Sequence, residues 1–418
     1  MTPNAPQVLV VGGGVIGLAC AHHLNRAGQS VTVIDRGQAG GACSSGNCGH
    51  ILPSHVLPLN SWATVRKGLA SLFNPRAPFR IKPRFDPGLA RWFWSFLTYC
   101  RQASVWRAAR ALKPLLDNSA AQYRALAAGL AADLNWSDGG VLYLFETRAG
   151  LARFAEEDMQ LTRHVNVSAE AVSPPILTRM EPRLREGLAG GYLYRQDGCL
   201  SPERLIRVWR DRLESDGVVF IEHCPFDELT IQSGAISRLR CRDRVFEPDA
   251  VVFAMGALSG ALTRHLALNV PVAPGKGYSI TLKDEGCEVR HPWVLPEHGV
   301  AISPFADSLR IGSMMEFAGY DASLPDHRFR QLRQSANRML ARPLSRRDGA
   351  RWMGWRPMTP DSLPLIGPVP GLANAILATG HQMIGVMTAP ATGQLVTDYI
   401  TGRAPVFPAD AFLPERFQ

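Results

Sequence analysis

The chain has 418 residues, 46% of them hydrophobic and 19% charged, which suits two or three folded domains and excludes a disordered chain. Its formal net charge of +9 favours anionic partners, but no nucleic-acid recognition motif accompanies it. Eight cysteines form neither a CxxC pair nor a zinc-ligand spacing, and no apolar run reaches the ~20 residues that span a bilayer.

Residues 1–7 are polar and contain proline, so no secretory apolar region is visible at the start. A cytoplasmic protein with reduced thiols is expected, with membrane contact at most peripheral, at the inner face. Arginines cluster at Arg204, Arg207, Arg210 and Arg212, and again at Arg342, Arg346, Arg347 and Arg351. The spacing of Arg207 and Arg210 reads as a solvated helix face.

Residues 8–11 have the length and β-branching of a buried strand. They lead into Gly12-Gly13-Gly14-Val15-Ile16-Gly17, after which small and apolar residues recur as a helix stopped at Gly28. Residues 30–34 form a second strand, closed by Asp35 18 positions after Gly17. Glycines 12, 14 and 17 between strand and helix, with an acidic residue ending the next strand, make the dinucleotide-binding fingerprint in the context it requires.

Gly12 permits the tight turn, Gly14 lets a pyrophosphate approach the backbone, and Gly17 lets the helix pack close to the strand. The helix N-terminus at Val15 and Ile16 supplies N–H donors and a positive dipole end. Asp35, followed by Arg36, can accept hydrogen bonds from both ribose hydroxyls. The fingerprint alone does not separate NAD from FAD. The loop that follows carries Ser44, Ser45, Asn47, Gly49, His50 and Ile51. Its small hydroxyl and glycine residues can run along a pyrophosphate and bring backbone against a flat ring.

Residues 61–134 read as a long helical region, with a strongly aromatic stretch at 91–97. That stretch is either a helix buried against a second domain or a surface for a membrane quinone or a partner subunit. Ser201-Pro202 opens a helix to about residue 215, and residues 218–222 return as a strand to the nucleotide sheet. Residues 229–231 and 236–241 resemble a hairpin, 271–310 alternate as an antiparallel sheet, and 326–340 read as a helix. In the last helix Thr388 or Ala389 is the expected N-cap, with Pro390 in the first turn.

Residues 7–36 with the loop after them, the strand and glycine turn at 251–257, and the segments 354–370 and 378–402 together resemble the D-amino-acid oxidase/dehydrogenase superfamily of flavoproteins. The resemblance spans nearly the whole chain and points to the bacterial D-amino-acid dehydrogenase branch, with D-proline or hydroxyproline-like substrates. It implies noncovalent FAD and hydride transfer from the substrate α-carbon to flavin N5. It also implies a small amino-acid substrate and an electron acceptor such as a quinone or a partner subunit. A glycine/sarcosine-type amine oxidase using oxygen, or a flavoprotein subunit of a larger complex, are the alternatives.

Carried over residue by residue, the resemblance makes Arg356, in Trp355-Arg356-Pro357, the carboxylate clamp, with Trp355 in place of the usual leucine. A guanidinium grips a carboxylate bidentately, as lysine does not. Met383 stands where glycine oxidase has a second arginine, so a less polar pocket is expected on that side. Tyr278 is the second substrate contact, unless it is a tyrosine buried in its strand. His50 with Tyr278 and Arg356 completes the catalytic set. Ala254, Gly256, Gly380, His381, Met383, Ile384 and Gly385 complete the cofactor set. No cysteine lies near Arg356 or His381 in the sequence, and no metal is implied.

The expected fold is α/β, a Rossmann-type FAD-binding domain (1–56, 198–262 and 352–418) interleaved with an α+β substrate domain (57–197 and 263–351). The second domain is built on a mixed or antiparallel sheet.

Overall fold

In the computed structural model, which describes residues 6–74, 76–283, 288–345 and 347–418, the first apolar run is an interior strand of a six-stranded sheet. Arg346 of the second arginine cluster, and residues 284–287 of the alternating stretch, lie outside the described residues. Gln7–Val11 pairs in parallel with Ser30–Ile34 and with Ala250–Phe253. Val219–Ile221 and Ala375–Thr379 extend the two sides in parallel, and Leu365–Pro368 closes one edge antiparallel.

The continuous apolar character of the first strand follows from burial on both faces. Val8 and Val10 pack towards the helices Val15–Arg26 and Gly385–Thr401, while Leu9 and Val11 face a layer built on the hairpin strands Glu228–Gln232 and Ala235–Cys241.

The second sheet has nine strands. Ala273–Lys283 lies antiparallel between Ala350–Met358 and Ser308–Phe317, and Val300–Phe305, Trp293–Leu295, Val141–Phe145, Gly190–Tyr194 and Glu170–Val172 follow in order. Two pairings are parallel, Trp293–Leu295 with Val141–Phe145 and Phe79–Ile81 with Ser308–Phe317, so the sheet is mixed. Its two faces differ in kind. Tyr278, Ile280, Leu282 and Ile311 pack on the Asp326–Asn337 helix through Phe329 and Leu332. The alternate positions Gly277, Ser279, Gly312 and Gly354 turn towards the nucleotide side, where a methyl group on Gly312 would lie 2.8 Å from Cys48 Sγ.

Three details differ from the sequence reading. The region 61–134 holds the helices Trp62–Ser71, Pro87–Thr98 and Gln102–Leu134, but the short strand Phe79–Ile81 interrupts it. Three residues paired to a strand more than 200 positions away carry no local signal. The strand bearing Arg356 belongs to the nine-stranded sheet, and Gln102–Leu134 packs on the helical layer of the nucleotide sheet.

The last helix begins at Gly385, three residues before Thr388, and Pro390 sits inside it. An internal proline orphans the carbonyl four residues back. That carbonyl, on Val386, accepts a hydrogen bond from the Tyr123 hydroxyl at 2.6 Å, so the helix continues past the proline on a donor supplied by another helix. Tyr123→Phe should lower stability by about 1–3 kcal/mol, the cost of a buried polar group left unpaired. Thermal denaturation with saturating FAD checks this, and an unchanged midpoint would show that the proline is tolerated without Tyr123.

Candidate active site

The two sheets enclose a cavity of about 1950 Å³. That is about twice the ~1,000 Å³ upper end for a single small ligand, so it has room for a dinucleotide and a substrate together.

Gly12, Gly14, Val15 and Ile16 line one end. Gly14, the N-cap, has no capping side chain, which leaves first-turn N–H groups available to a ligand, apart from Val15 N–H, which donates to Ser44 Oγ at 3.2 Å. Gly17 is off the cavity wall and acts through packing, since a Cβ there would lie 1.8 Å from the Gly12 carbonyl oxygen. Gly12 itself has φ +109°. The Asp35 carboxylate lines the cavity and accepts from Gly13 N–H at 2.7 Å and Gly37 N–H at 2.8 Å. Each oxygen keeps a lone pair for a ribose hydroxyl. Glycine turn, uncapped helix start and tethered carboxylate fit an adenine dinucleotide.

Arg36, Ser44, Asn47, His50, Ala254, Gly256, His381, Met383 and Gly385 also border the cavity. Ser45, Gly49, Ile51, Gly380 and Ile384 do not. Ser45 and Asn47 give their carbonyls to Arg310, Gly49 abuts the Leu200 carbonyl, and Ile51 is core. Ile384 is the N-cap of the last helix, and Gly380, at φ +74°, allows the chain to turn before His381. Buried Gln382 donates to Thr359 while its Oε1 has no partner, an acceptor left in the cavity wall.

Arg356 is half-buried and lines the cavity, lying flat against Gly277, where a Cβ would come within 2.3 Å of the guanidinium carbon. Its Nη1 donates to the Met314 carbonyl at 2.7 Å, and among the described residues no carboxylate pairs with it. Desolvation pushes it down to about 10, and it remains a cation at neutral pH. Tyr278 borders the cavity, yet its hydroxyl donates to Glu316 at 2.6 Å, on the face away from Gly277. Glu316 is held in turn by Arg80 and Arg328. The expected hydroxyl contact from Tyr278 to a carboxylate on Arg356 is therefore corrected, because alternation along the strand sends the two side chains to opposite faces.

His50 and His381 are buried, their Nε2 atoms 3.2 Å from the Ile302 carbonyl oxygen and 3.0 Å from Thr392 Oγ1. Burial pushes His50 down to about 4 and His381 to about 3, so both are neutral. Two features escaped the sequence reading. Arg310 clamps the 44–48 loop from a strand with no motif, and Cys43 and Cys48, distant in sequence, fold into electrostatic reach of Arg356. Trp355 N–H donates to Cys43 Sγ at 3.2 Å, and burial pushes both thiols up, away from the nucleophilic thiolate.

A family model described as FAD dependent oxidoreductase (DAO) matches residues 7–399. The chain belongs to this family. It is thus an FAD-dependent oxidoreductase. Solved structures with the same fold include glycine oxidase from Geobacillus kaustophilus, 22% identical, with 98% of this chain and 99% of that one covered at a TM-score of 0.79. L-proline dehydrogenase from P. horikoshii is 17% identical, covering 99% and 98% at 0.76. Iminodiacetate oxidase from Chelativorans sp. BNC1 is 20% identical, covering 97% and 98% at 0.74. No described helix is long and apolar enough to cross a membrane.

Asp35→Ala should weaken FAD binding about ten- to hundredfold, from the loss of about 1.5–3 kcal/mol in charged hydrogen bonds, as read by titrating apoprotein with FAD. The two histidines add a pH dependence. Their folded values lie below the ordinary imidazole value near 6.5, so they contribute stability above it that is lost as pH falls towards about 4 for His50 and about 3 for His381. Thermal midpoints should fall over that window, and less steeply in His381→Gln. Parallel profiles would show that His381 is not protonated on unfolding.

Proposed function

We propose that this protein is an FAD-dependent amino-acid dehydrogenase acting on a D-amino acid, with D-proline or a hydroxyproline-like compound as the preferred class. The observation that carries the reading is Arg356, a desolvated guanidinium in the cavity wall with a single carbonyl partner and, among the described residues, no counter-charge. A desolvated cation left so open is matched by an anionic ligand, and its planar fork suits a carboxylate.

The resemblance supplies the rest of the chemistry. When bound, FAD would supply the hydride acceptor for oxidation at the carbon that bears the nitrogen. The chain's residues bind and orient. Gly12, Gly14, Val15, Ile16, Asp35 and Ser44 would hold the dinucleotide noncovalently, and Arg356 would fix the carboxylate so that the α-carbon is presented in one orientation. Met383 lines the cavity and packs on the buried cluster of Met315 and Met358, so it would give the side-chain pocket an apolar wall. That wall suits a pyrrolidine ring better than the bare hydrogen of glycine. A primary amine would leave as an imino acid that water hydrolyses to a 2-oxo acid and ammonia, and a cyclic amine as a cyclic imine.

A flavin amine oxidase using oxygen is the second reading, favoured by the fold shared with glycine oxidase. Hydrogen peroxide release in air, without added quinone or dye, would select it over a dehydrogenase that reduces a quinone or a partner subunit. An anaerobic screen of D- and L-amino acids, prolines included, for bleaching of the flavin tests the substrate class.

Arg356→Ala should retain FAD while KM rises by about thirty- to five-thousandfold, the ~2–5 kcal/mol cost of truncating one side of a buried charge pair. Arg356→Lys should fall between, since it keeps charge and loses the fork. Bleaching by Arg356→Ala at wild-type substrate concentrations would remove the carboxylate assignment.

A further inference from the structure

The Trp62–Ser71 helix is built inside out. Its inward side is Gly68 and Ser71, both buried, with Ser71 Oγ accepting from Ile81 N–H at 3.0 Å. A Cβ on Gly68 would stand 3.1 Å from Ile81 Cδ1, so only a small residue fits there. The outward side carries Trp62, Arg66 and Leu69 at helical spacing, continued by Phe73 just past the helix end. Trp62 is 59% exposed, Leu69 58% and Phe73 91%. Phe85 and Trp94, 97% and 73% exposed, follow in the same subdomain, where Val65, Phe79 and Phe93 share one apolar cluster. Four of the five exposed large aromatic side chains among the described residues thus fall within residues 62–94.

Charge marks the same segment. Residues 62–94 contain seven arginines and lysines against one carboxylate, Asp86, which is taken by Arg84. Arg66, Arg76 and Arg91 are exposed and have no ion-pair partner among the described residues. Exposed tryptophan and phenylalanine interleaved with unpaired arginine is the composition that settles into an anionic lipid interface, apolar rings among acyl chains and guanidinium groups at lipid phosphates. We infer that this segment docks the protein on an anionic bilayer surface. Trp62, Ala63 and Lys67 also border the cavity, so docking would set the opening of the flavin site against the membrane. The inference rests on the surface alone and not on the substrate reading above.

The test is co-sedimentation of the FAD-loaded protein with vesicles of phosphatidylcholine, with and without phosphatidylglycerol. Binding should require phosphatidylglycerol and reverse in high salt. Leu69→Ser/Phe73→Ser and Arg66→Glu/Arg76→Glu should each lower partitioning by on the order of tenfold or more. Flavin content and anaerobic bleaching should stay at wild-type levels, which shows the variants folded. Absence of pelleting, equal pelleting with neutral vesicles, or variants that pellet like wild type would overturn the inference. So would a concentration-dependent dimer abolished by Leu69→Ser/Phe73→Ser, which would assign the face to a second copy. Pelleting and bleaching are read separately, so failure of one leaves the other standing.

Discussion

Arg310 leaves the Ser308–Phe317 strand of the large sheet, is only 2% exposed, and reaches three other elements. Its Nε donates to Thr281 at 2.9 Å, its Nη1 to the carbonyls of Ser45 and Asn47 at 2.8 and 3.0 Å, and its Nη2 to Glu203 at 2.8 Å. Desolvating a guanidinium costs several kcal/mol, and it is tolerated here because each side of the group meets an acceptor. The same condition fixes the loop. Were its carbonyls to turn elsewhere, a buried charge would be bared, so the 44–48 backbone keeps one course between the sheets. That course puts Ser44 Oγ on the Val15 N–H, places the Gly46 carbonyl at Ser279 Oγ, and presses Cys48 against Gly312. The cavity takes its shape from a cation that is not on its wall.

What the sequence disclosed and what it hid divide by distance along the chain. The glycine turn, its helix and Asp35 lie within 30 residues, and each glycine answers a local steric demand, so this strand–turn–helix unit was legible from its own residues. The alternation of the large sheet was legible because one of its faces is core. Which face each residue takes was not. Tyr278 and Gly277 are neighbours, and only the pairing with the Arg356 strand shows that the glycine, not the tyrosine, lies beside the guanidinium. Pro390 read as the first turn of a helix because proline is tolerated there, and Tyr123, more than 260 positions earlier, removed that restriction. Arg310 sat in an ordinary strand pattern, and nothing near it in sequence foretold the loop it holds.

The two arginines on the glycine-faced side of the large sheet make a useful contrast. Both are desolvated, but Arg310 is saturated by protein acceptors and Arg356 has one carbonyl. Saturation is what a structural cation needs, and the lack of it is what a binding cation needs. Gly277 sharpens the difference, because without a side chain it lets the Arg356 guanidinium lie against the strand and leave its outer edge to the cavity.

That open charge also bears on the nitrogen of an amino-acid ligand. Removing a hydride from a carbon requires a neutral amine beside it, because the lone pair stabilises the developing cation. A nearby guanidinium disfavours the ammonium form, and neutral His50 and His381 add no competing charge. No carboxylate lies within ion-pair distance of Arg356 among the described residues to reverse the effect. The group that would grip the carboxylate would therefore also lower the amine's proton affinity, preparing the substrate through electrostatics with no general base in contact. One desolvated side chain, held open by a glycine and kept in place by a loop that another arginine clamps, would serve both binding and activation.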